Sequence, residues 1–305
     1  MSHILVIGSL NADLVVRAPR FPGPGETISG EDLQVIPGGK GANQAVAAAR
    51  LGSKVSMLGR VGQDNFGDFL LDNLRSNQVD SQLVKRAEAS TGTAIIVVDS
   101  NGQNSIVLSP GANGKVSDAD VDAAAFLHRD LLLLQLEIPL PTVLTAAQRA
   151  KENNVQLILN PAPAQKLSDE LIAVTDFIIP NESELSLLTG MDTKDIHAAE
   201  GAAQALLDRG AKNVIVTLGE KGALIVNRQQ ATHVDAFKVD VVDTTAAGDA
   251  FIGGFATALL QNKSLEDSVR YGCACGALAT TKFGAQPSLP TKEAVENFLS
   301  QFPNP

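Results

Sequence analysis

From about residue 130 onward, apolar runs alternate with segments of helical periodicity, and this alternation constrains the fold more than any other feature of the chain. The apolar runs are LLLLQLEI, VQLILNPAP, FIIP and NVIVTLG, and the helix-period segments between them lie at about 139–152, 168–174 and 183–210. Strands connected in this way form right-handed βαβ units, in which helices cover both faces of a parallel sheet. The pattern predicts an α/β fold with a doubly wound, mostly parallel sheet.

The N-terminal third fits the same sheet but also contains two segments of a different kind. HILVIGS and KVSMLGRVG are predicted strands of the sheet, and KGANQAVAAARLG between them is a predicted crossover helix. Residues 12–37 and 93–109 instead resemble short strands joined by turn residues, and the second segment has an Asn-Gly pair typical of a hairpin. We predict that both segments form one small β-sheet, which acts as a lid over the main sheet's carboxyl edge, as a dimerisation surface, or as both.

Size and charge limit the organisation of the chain and its partners. With 305 residues, 44% of them hydrophobic, we expect one α/β domain over residues 1–305 that needs no disulfide or structural metal. Cys273 and Cys275 are predicted to point to different sides of a helix. A net charge of −10 without a basic block argues against nucleic acid or an anionic membrane as a partner. The N-terminus MSHILVIGSL has no leader-like pattern, so a cytoplasmic location is the expectation.

The stretch VDTTAAGDAF places Asp243 and Asp249 on either side of a turn of small residues. Residues 239–243 are predicted to end a strand, and residues 244–248 to form the turn into a helix N-terminus. Free amides at such a terminus stabilise an anion, so Asp249 would take a proton from an attacking hydroxyl beside an anion hole. The alternative is that both aspartates only cap the turn and the helix. The amides assigned to the anion hole are those of Ala246, Ala247 and Gly248.

A second glycine-rich segment, PGGKGANQ at residues 37–44, also precedes a predicted helix. It is not a P-loop, because Lys40 is followed by glycine instead of serine or threonine, and GSLNAD after the first strand lacks the dinucleotide-binding pattern of glycines. Both segments bring polar side chains next to backbone glycines, which suits a ligand with several hydroxyl groups. These side chains are Asn11, Asp13, Lys40 and Asn43.

Taken together, the motifs resemble those of the ribokinase family of carbohydrate kinases over nearly the whole chain. They occur in the order GSLNAD, PGGKGANQA, LLQLEIPL, NPAPA, PNESE, TLGEKGA, DTTAAGDAF and KFGAQPSLP. The resemblance implies a Rossmann-like domain with a β-sheet lid that also forms a homodimer interface. It also implies transfer of the ATP γ-phosphoryl group to the 5-hydroxyl of ribose, which yields ribose 5-phosphate and ADP.

The resemblance further implies roles for individual residues. The implied base is Asp249. The implied sugar-binding residues are Asn11, Asp13, Gly39, Lys40, Gly41, Asn43, Glu137 and Asp243. The implied nucleotide-binding residues are Asn181, Thr217, Gly219, Lys221, Gly222, Gly248 and Cys273, with Glu184 orienting the water shell of magnesium. A monovalent cation, expected to be potassium, is implied at Asp243, Thr245, Ala279, Lys282, Gly284 and Ser288, mostly through carbonyl oxygens.

Some of these residues also have a purely structural interpretation. Lys40 could be a solvated cation at a helix start, Cys273 a small core residue, and Asn181 with Glu184 a helix cap. Glu137 follows an apolar strand, where an unpaired acid is costly, so a ligand role is favoured. Ala246 stands where many relatives have glycine, and alanine tolerates a positive φ poorly.

Two other functions stay open from the sequence. A kinase for another sugar or for a nucleoside would use the same catalytic groups, because pocket shape separates these substrates. The two small-sheet segments contain Phe21 but no Trp or Tyr for stacking on a base, which favours a bare sugar. A non-catalytic sugar sensor on the same fold is the third hypothesis, and the presence of Asp249 with its preceding glycine argues against it.

Overall fold

The computed structural model describes residues 3–302, apart from the side chains of residues 123 and 124. Its strands are β1 His3–Ile7, β2 Asn11–Arg17, β3 Gln34–Gly38, β4 Lys54–Gly62, β5 Asp80–Ala87, β6 Gly92–Val98, β7 Asn104–Ser109, β8 Leu131–Leu134, β9 Gln156–Leu159, β10 Phe177–Ile178, β11 Asn213–Thr217, β12 Ala223–Asn227 and β13 Ala231–Val234. Its α-helices are α1 Lys40–Arg50, α2 Asn65–Ser76, α3 Leu140–Glu152, α4 Asp169–Val174, α5 Glu182–Thr189, α6 Ile196–Asp208, α7 Ala247–Leu260, α8 Leu265–Thr280, α9 Ala285–Ser288 and α10 Lys292–Ser300.

A nine-stranded sheet forms the centre of the protein, in the order β13-β12-β11-β10-β9-β8-β1-β4-β5. Neighbouring strands pair in parallel from β11 to β5, and β12 pairs antiparallel with β11 and β13. Side chains alternate between the two faces, so that Ile4 and Val6 of β1 pack in one core cluster while Leu5 and Ile7 pack in the other. Burial on both faces explains the unbroken apolar runs, and it confirms the predicted doubly wound, mostly parallel sheet.

A separate four-stranded sheet has the order β3-β2-β6-β7 and comes from the two segments predicted to form it. β2 pairs in parallel with β6, and the other two pairs are antiparallel. β6 and β7 form the predicted hairpin around Asn101 and Gly102, where the positive φ of Gly102, 78°, suits glycine. Residues 18–33 between β2 and β3 contain no strand or helix.

Two details of the sequence-based prediction were wrong. Residues 239–243 do not end a strand, because the chain has left the edge of the main sheet after β13, and Val241 and Val242 are exposed instead of packed. The segment 183–210 is two helices, because Gly190 ends α5 in the left-handed conformation and the Asp195 side chain caps the start of α6.

Within residues 3–302, no helix is long and apolar enough to cross a membrane. Cys273 and Cys275 are both buried free thiols on α8.

Candidate active site

Segments that follow β1, β3 and β8 meet α7 at the carboxyl edge of the main sheet. Ser9, after β1, donates its hydroxyl hydrogen bond to Glu137 at 2.5 Å, and the backbone N–H of Lys40 donates to the same carboxylate at 3.1 Å. Asn43 of α1 donates to Asp249 of α7 at 2.9 Å. Glu137 therefore has the partners that an acid beyond an apolar strand requires, and residues predicted from distant motifs lie in one site.

Asp249 lies in the first turn of α7 and is 6% exposed. Its carboxylate accepts hydrogen bonds from Asn43 Nδ2 and, at 3.0 Å, from Gln44 Nε2. Burial raises the pKa of Asp249 above its ordinary value, although the Lys40 charge and the two amide donors oppose that rise. A carboxylate with increased proton affinity is a stronger general base once it is ionised.

Lys40 is a half-buried cation among acidic groups. Burial alone would lower the pKa of Lys40, but the charges of Asp249, Glu137 and Glu184 outweigh it and raise the pKa above its ordinary value. Lys40 is therefore positively charged and interacts electrostatically with Asp249 of α7 and Glu184 of α5. Such a charge can neutralise a phosphate that binds next to it.

The side that faces the small sheet is built from polar groups close to glycines. Asp13 of β2 is buried, and a Cβ on Gly38 would lie 2.1 Å from its Oδ2, so the neighbouring strand must have glycine there. Burial, with repulsion from Glu137 and Asp249, raises the pKa of Asp13 to about 7. Gly39 has a φ of 88° directly before α1, a conformation that suits glycine.

Asn11 has a fixed amide orientation. Its Oδ1 accepts a hydrogen bond of 2.7 Å from Asn113 Nδ2, while Asn113 Oδ1 accepts from the backbone N–H of Leu10 at 2.9 Å. The Asn11 NH2 group is therefore the end left for a ligand. Asn11, Asn113 and Glu137 line the same cavity of about 490 Å³.

The three amides assigned to the anion hole at the N-terminus of α7 differ in their hydrogen bonding. Ala246 has a φ of 60° and a ψ of 10°, so this alanine occupies the left-handed conformation directly before the helix. The N–H of Ala247 already donates to Thr244 O at 3.2 Å, whereas the first bond within the helix joins Ala250 N to Ala246 O. The amides of Ala246 and Gly248 are thus better placed for an anion than that of Ala247.

A second cavity, of about 1220 Å³, is lined in part by Ala247, Gly248 and Phe251 of α7. The predicted nucleotide residues that line it are Asn181, Thr217, Gly219, Lys221, Gly222, Gly248 and Cys273. Cys273 is a neutral thiol, because burial raises its pKa to about 12. Thr244 lines both this cavity and a cavity of about 810 Å³ that also contains Asp13 and Asp243.

Asn181 and Glu184 form a complete helix cap, and Asn181 also lines the cavity of about 1220 Å³, whereas Glu184 does not. Glu184 N donates to Asn181 Oδ1, and Asn181 N donates to Glu184 Oε2, both at 2.8 Å. Burial raises the pKa of Glu184, with the Asn181 hydrogen bond and the Lys40 charge opposing it. The structural interpretation of these residues is therefore correct, and it is compatible with a second role.

The predicted monovalent-cation residues lie in two segments that Asp243 ties together. One oxygen of Asp243 accepts from Thr245 N at 2.9 Å and Thr245 Oγ1 at 2.6 Å, and the other accepts from Gly284 N at 2.9 Å. The N–H of Val242 donates to the Thr280 carbonyl. Burial would raise the pKa of Asp243, but these hydrogen bonds and Arg17 lower it overall.

Three buried amides beside Asp249 were not predicted from the sequence. Gln44, Gln135 and Asn160 are 0%, 0% and 7% exposed. Gln135 and Asn160 each follow an apolar strand directly, which is the signal that singled out Glu137, and it could have found them too. Ser9 and Asn113 were missed because neither stands out in its local pattern.

Comparison with known proteins shows to which family the chain belongs. The model of the pfkB family of carbohydrate kinases matches residues 1–292. The chain belongs to the pfkB carbohydrate kinase family. Similar proteins are the ribokinase of Haemophilus influenzae, 45% identical over 97% of this chain and 98% of that one, and the deoxyribokinase of Salmonella typhi, 43% identical over 97% and 98%. The solved structure of Arabidopsis thaliana ribokinase complexed with ribose and ATP has a TM-score of 0.92 and is 35% identical, covering 98% of this pfkB kinase and 99% of that chain.

Proposed function

We propose that this protein is a ribokinase, which transfers the γ-phosphoryl group of ATP to the 5-hydroxyl of ribose. The observation that carries the proposal is a buried carboxylate, Asp249, which interacts with the Lys40 cation and lies in the first turn of α7, where Ala247 and Gly248 line the cavity of about 1220 Å³. The similarity of the protein to the ribokinases of Haemophilus influenzae and Arabidopsis thaliana supports ribose as the substrate.

In the proposed reaction, Asn11, Asp13 and Glu137 bind sugar hydroxyls on the small-sheet side. Asp249 accepts the proton of the 5-hydroxyl as that oxygen bonds to the γ-phosphorus and the bond to the β–γ bridging oxygen breaks. Lys40 and the α7 amides stabilise the negative charge on the transferring group. Phosphoryl transfer needs mainly alignment and charge neutralisation, so these groups, with a metal ion, are sufficient.

The proposal includes two metal ions. Within residues 3–302 there is no cluster of three or more His, Cys, Asp and Glu side chains that could hold a metal, so magnesium would be held mainly by ATP phosphates and water, with Glu184 beside it. It would supply charge neutralisation on the phosphates. A potassium ion would sit at the two segments that Asp243 joins and would be held mostly by backbone carbonyl oxygens.

We also propose that the small sheet is both a lid and a homodimer interface, within one domain in a cytoplasmic protein. Successive residues of its strands face opposite ways. Asp13 and Leu108 stand on one face, in register through Ala94, while Leu14, Ile95 and Val107 stand on the other. A lid over the sugar would exclude water, which otherwise competes for the phosphoryl group.

Turnover of an Asp249→Asn variant tests the proposal. We expect the variant to fold and bind ATP, with turnover lowered by about two to four orders of magnitude, the effect of losing a general base. ADP release would be measured with ribose, deoxyribose, fructose and adenosine in parallel. Asp72→Asn on the exposed side of α2 is the control and should keep normal turnover. Near-normal turnover of Asp249→Asn would refute the assigned base, and tight ribose binding by the wild type without ADP release would support a sensor instead.

A further inference from the structure

A chain of buried amides connects Asp249 to the main sheet. Gln44 of α1 donates from Nε2 to Asp249 Oδ1 at 3.0 Å and to Asn160 Oδ1 at 3.1 Å. Its Oε1 accepts from Gln135 Nε2 at 2.6 Å. Asn160 in turn donates from Nδ2 to the carbonyl of Ile179 at 3.1 Å. Every polar atom of the Gln44 side chain is thus engaged.

The orientation of the Gln44 amide follows from the chemistry of its neighbours. An ionised carboxylate can only accept hydrogen bonds, so the group facing Asp249 must be the NH2 end. The Ile179 carbonyl also only accepts, which turns Asn160 so that its oxygen faces the same NH2 group. The hydrogen bond from Gln135 then holds the opposite end of Gln44. Reversing any one of these amides would leave buried donors or acceptors facing one another.

The residues that hold this network of amides at the main sheet are rigidly placed. Gln135, Asn160 and Ile179 each follow the last residue of β8, β9 and β10, which are three adjacent strands of the sheet. Packing around Gln135 is tight, because a Cβ on Gly8 would lie 2.1 Å from its Oε1. The helix α7 that carries Asp249 therefore does not fix its carboxylate alone, since the sheet edge also holds it through Gln44.

We propose that Gln44 is a positioning residue, which holds the Asp249 carboxylate in the orientation needed to accept the proton of the substrate hydroxyl. The inference rests on the proposed role of Asp249 as the general base. Asn43 holds the other carboxylate oxygen, but it also borders the sugar-binding segment, and its own Oδ1 is buried without a protein partner. Gln44 is 0% exposed and has no route to a ligand, so its effect on the reaction passes through Asp249.

The test is the variant Gln44→Met, which keeps the length of the side chain and removes its hydrogen bonds. We expect kcat to fall about ten- to a hundredfold, the factor for one hydrogen bond to a charged group, with the KM for ribose changed less than about threefold. In an Asp249→Asn background the same substitution should change kcat less than about twofold, because positioning then has no base to act on. A kcat of Gln44→Met near that of the wild type, or an equal fall in both backgrounds, would overturn the proposal.

The pH profile gives a second readout that loss of packing alone would not move. The Gln44 hydrogen bond lowers the pKa of Asp249, so its removal should raise that pKa and move the acid limb of kcat to higher pH. The other charged groups that act with Asp249 are Lys40 of α1, Glu137 after β8, Asp13 of β2 and Glu184 of α5, and all four are unchanged in the variant. An unmoved acid limb would contradict the inference.

Two further variants separate positioning from stability. Thr257 of α7 shares a partly buried hydrogen bond with Ser53, and Thr257→Val, which removes it, should lower the melting temperature while kcat stays normal. Gln135→Met leaves Gln44 in place but frees its Oε1, and it should lower kcat in the same direction by a smaller factor. If Gln44→Met does not fold, Gln135→Met replaces it as the test. An unchanged kcat of Gln135→Met would then overturn the proposal. Near-normal turnover of Asp249→Asn would instead refute the underlying base assignment.

Discussion

Asp13, a proposed sugar-binding residue, is a buried acid whose pKa lies near neutral pH. Its pKa is raised to about 7, first by burial and then by the nearby charges of Glu137 and Asp249. Near neutral pH the free enzyme therefore contains both the protonated and the ionised form. A carboxylate accepts hydroxyl hydrogen bonds more strongly than a carboxylic acid does, so ribose should bind best to the ionised form.

We expect the Kd for ribose to fall as pH rises towards 7 and to level off above it. Below 7 the Kd should change by at most about tenfold per pH unit, the limit for one linked proton. Calorimetry between pH 6 and pH 8 would measure this dependence. Asp13→Asn is the control, and it should bind more weakly at pH 8 with little change over the range. Equal wild-type affinity at both ends would contradict the prediction.

For individual residues, the sequence predicted which of them lie in the candidate site better than it predicted their hydrogen-bond partners. The motifs singled out Asn11, Lys40, Glu137 and Asp249, and the structure brings them together although they are far apart in the chain. Of the two hydrogen-bond partners of Asp249, Asn43 was among the predicted site residues but Gln44 was missed, since it lies in a helix of small and apolar residues where nothing local shows that it faces a carboxylate. Hydrogen bonds between distant segments depend on the fold, so the spacing of residues along the sequence does not indicate them.

Among the elements, the N-terminus of α7 contains a strained residue. Ala246 adopts a φ of 60° directly before the helix, where its Cβ crowds the following peptide. The turn needs that conformation because it joins an irregular segment to a helix whose first-turn amides point towards the site. Strain of this kind is retained where the surrounding structure fixes the backbone.

Replacing Ala246 by glycine should relieve this strain. We expect Ala246→Gly to raise the free energy of unfolding by roughly 0.5–1 kcal/mol, because glycine accepts a positive φ without the steric cost. Urea denaturation followed by circular dichroism would measure the change. Ala250→Gly, inside the same helix, is the matched control and should lower the free energy of unfolding by about 1 kcal/mol. A loss of stability in Ala246→Gly would show that the alanine is not strained.

Helices and strands were predicted correctly where a single hydrophobic period, that of a strand or that of a helix, dominates the segment. The parallel strands and α1 were predicted because their apolar residues repeat at the spacing of buried strands and of a helix. Residues 239–243 were mistaken for a strand because valines have high β propensity, and only the fold shows that no neighbouring strand is available to them. The break between α5 and α6 depends on a glycine and an aspartate cap within an otherwise helical pattern.

For the molecule as a whole, the outer face of the small sheet is the clearest interaction surface. Val35, Leu14, Ile95 and Val107 stand in register across its four strands, and Val35, Ile95 and Val107 are 41%, 51% and 64% exposed. An exposed apolar row of this kind is unfavourable in a monomer. Pairing with the same face of a second chain would cover it.

Introducing a charge into this row tests the pairing. We expect the wild type to be a dimer at micromolar concentration and Val107→Lys to be a monomer, because a lysine opposite apolar side chains would lose its hydration. Sedimentation velocity would measure both states. Leu187→Lys on α5 changes a similarly exposed apolar residue elsewhere and should leave the dimer intact. A dimeric Val107→Lys variant would place the interface on another surface.

The separation of the two sheets also bears on how such kinases diversify. Asp13 comes from the small sheet, whereas Asp249 and its amide partners are anchored on the large one. Under the proposed roles of Asp13 and Asp249, we expect mutations in β2 or its neighbours to alter which sugar is accepted while the chemistry of transfer is preserved. Selection for a new nutrient would then act on a few peripheral strands, and a relative at 43% identity that is a deoxyribokinase is consistent with such a history.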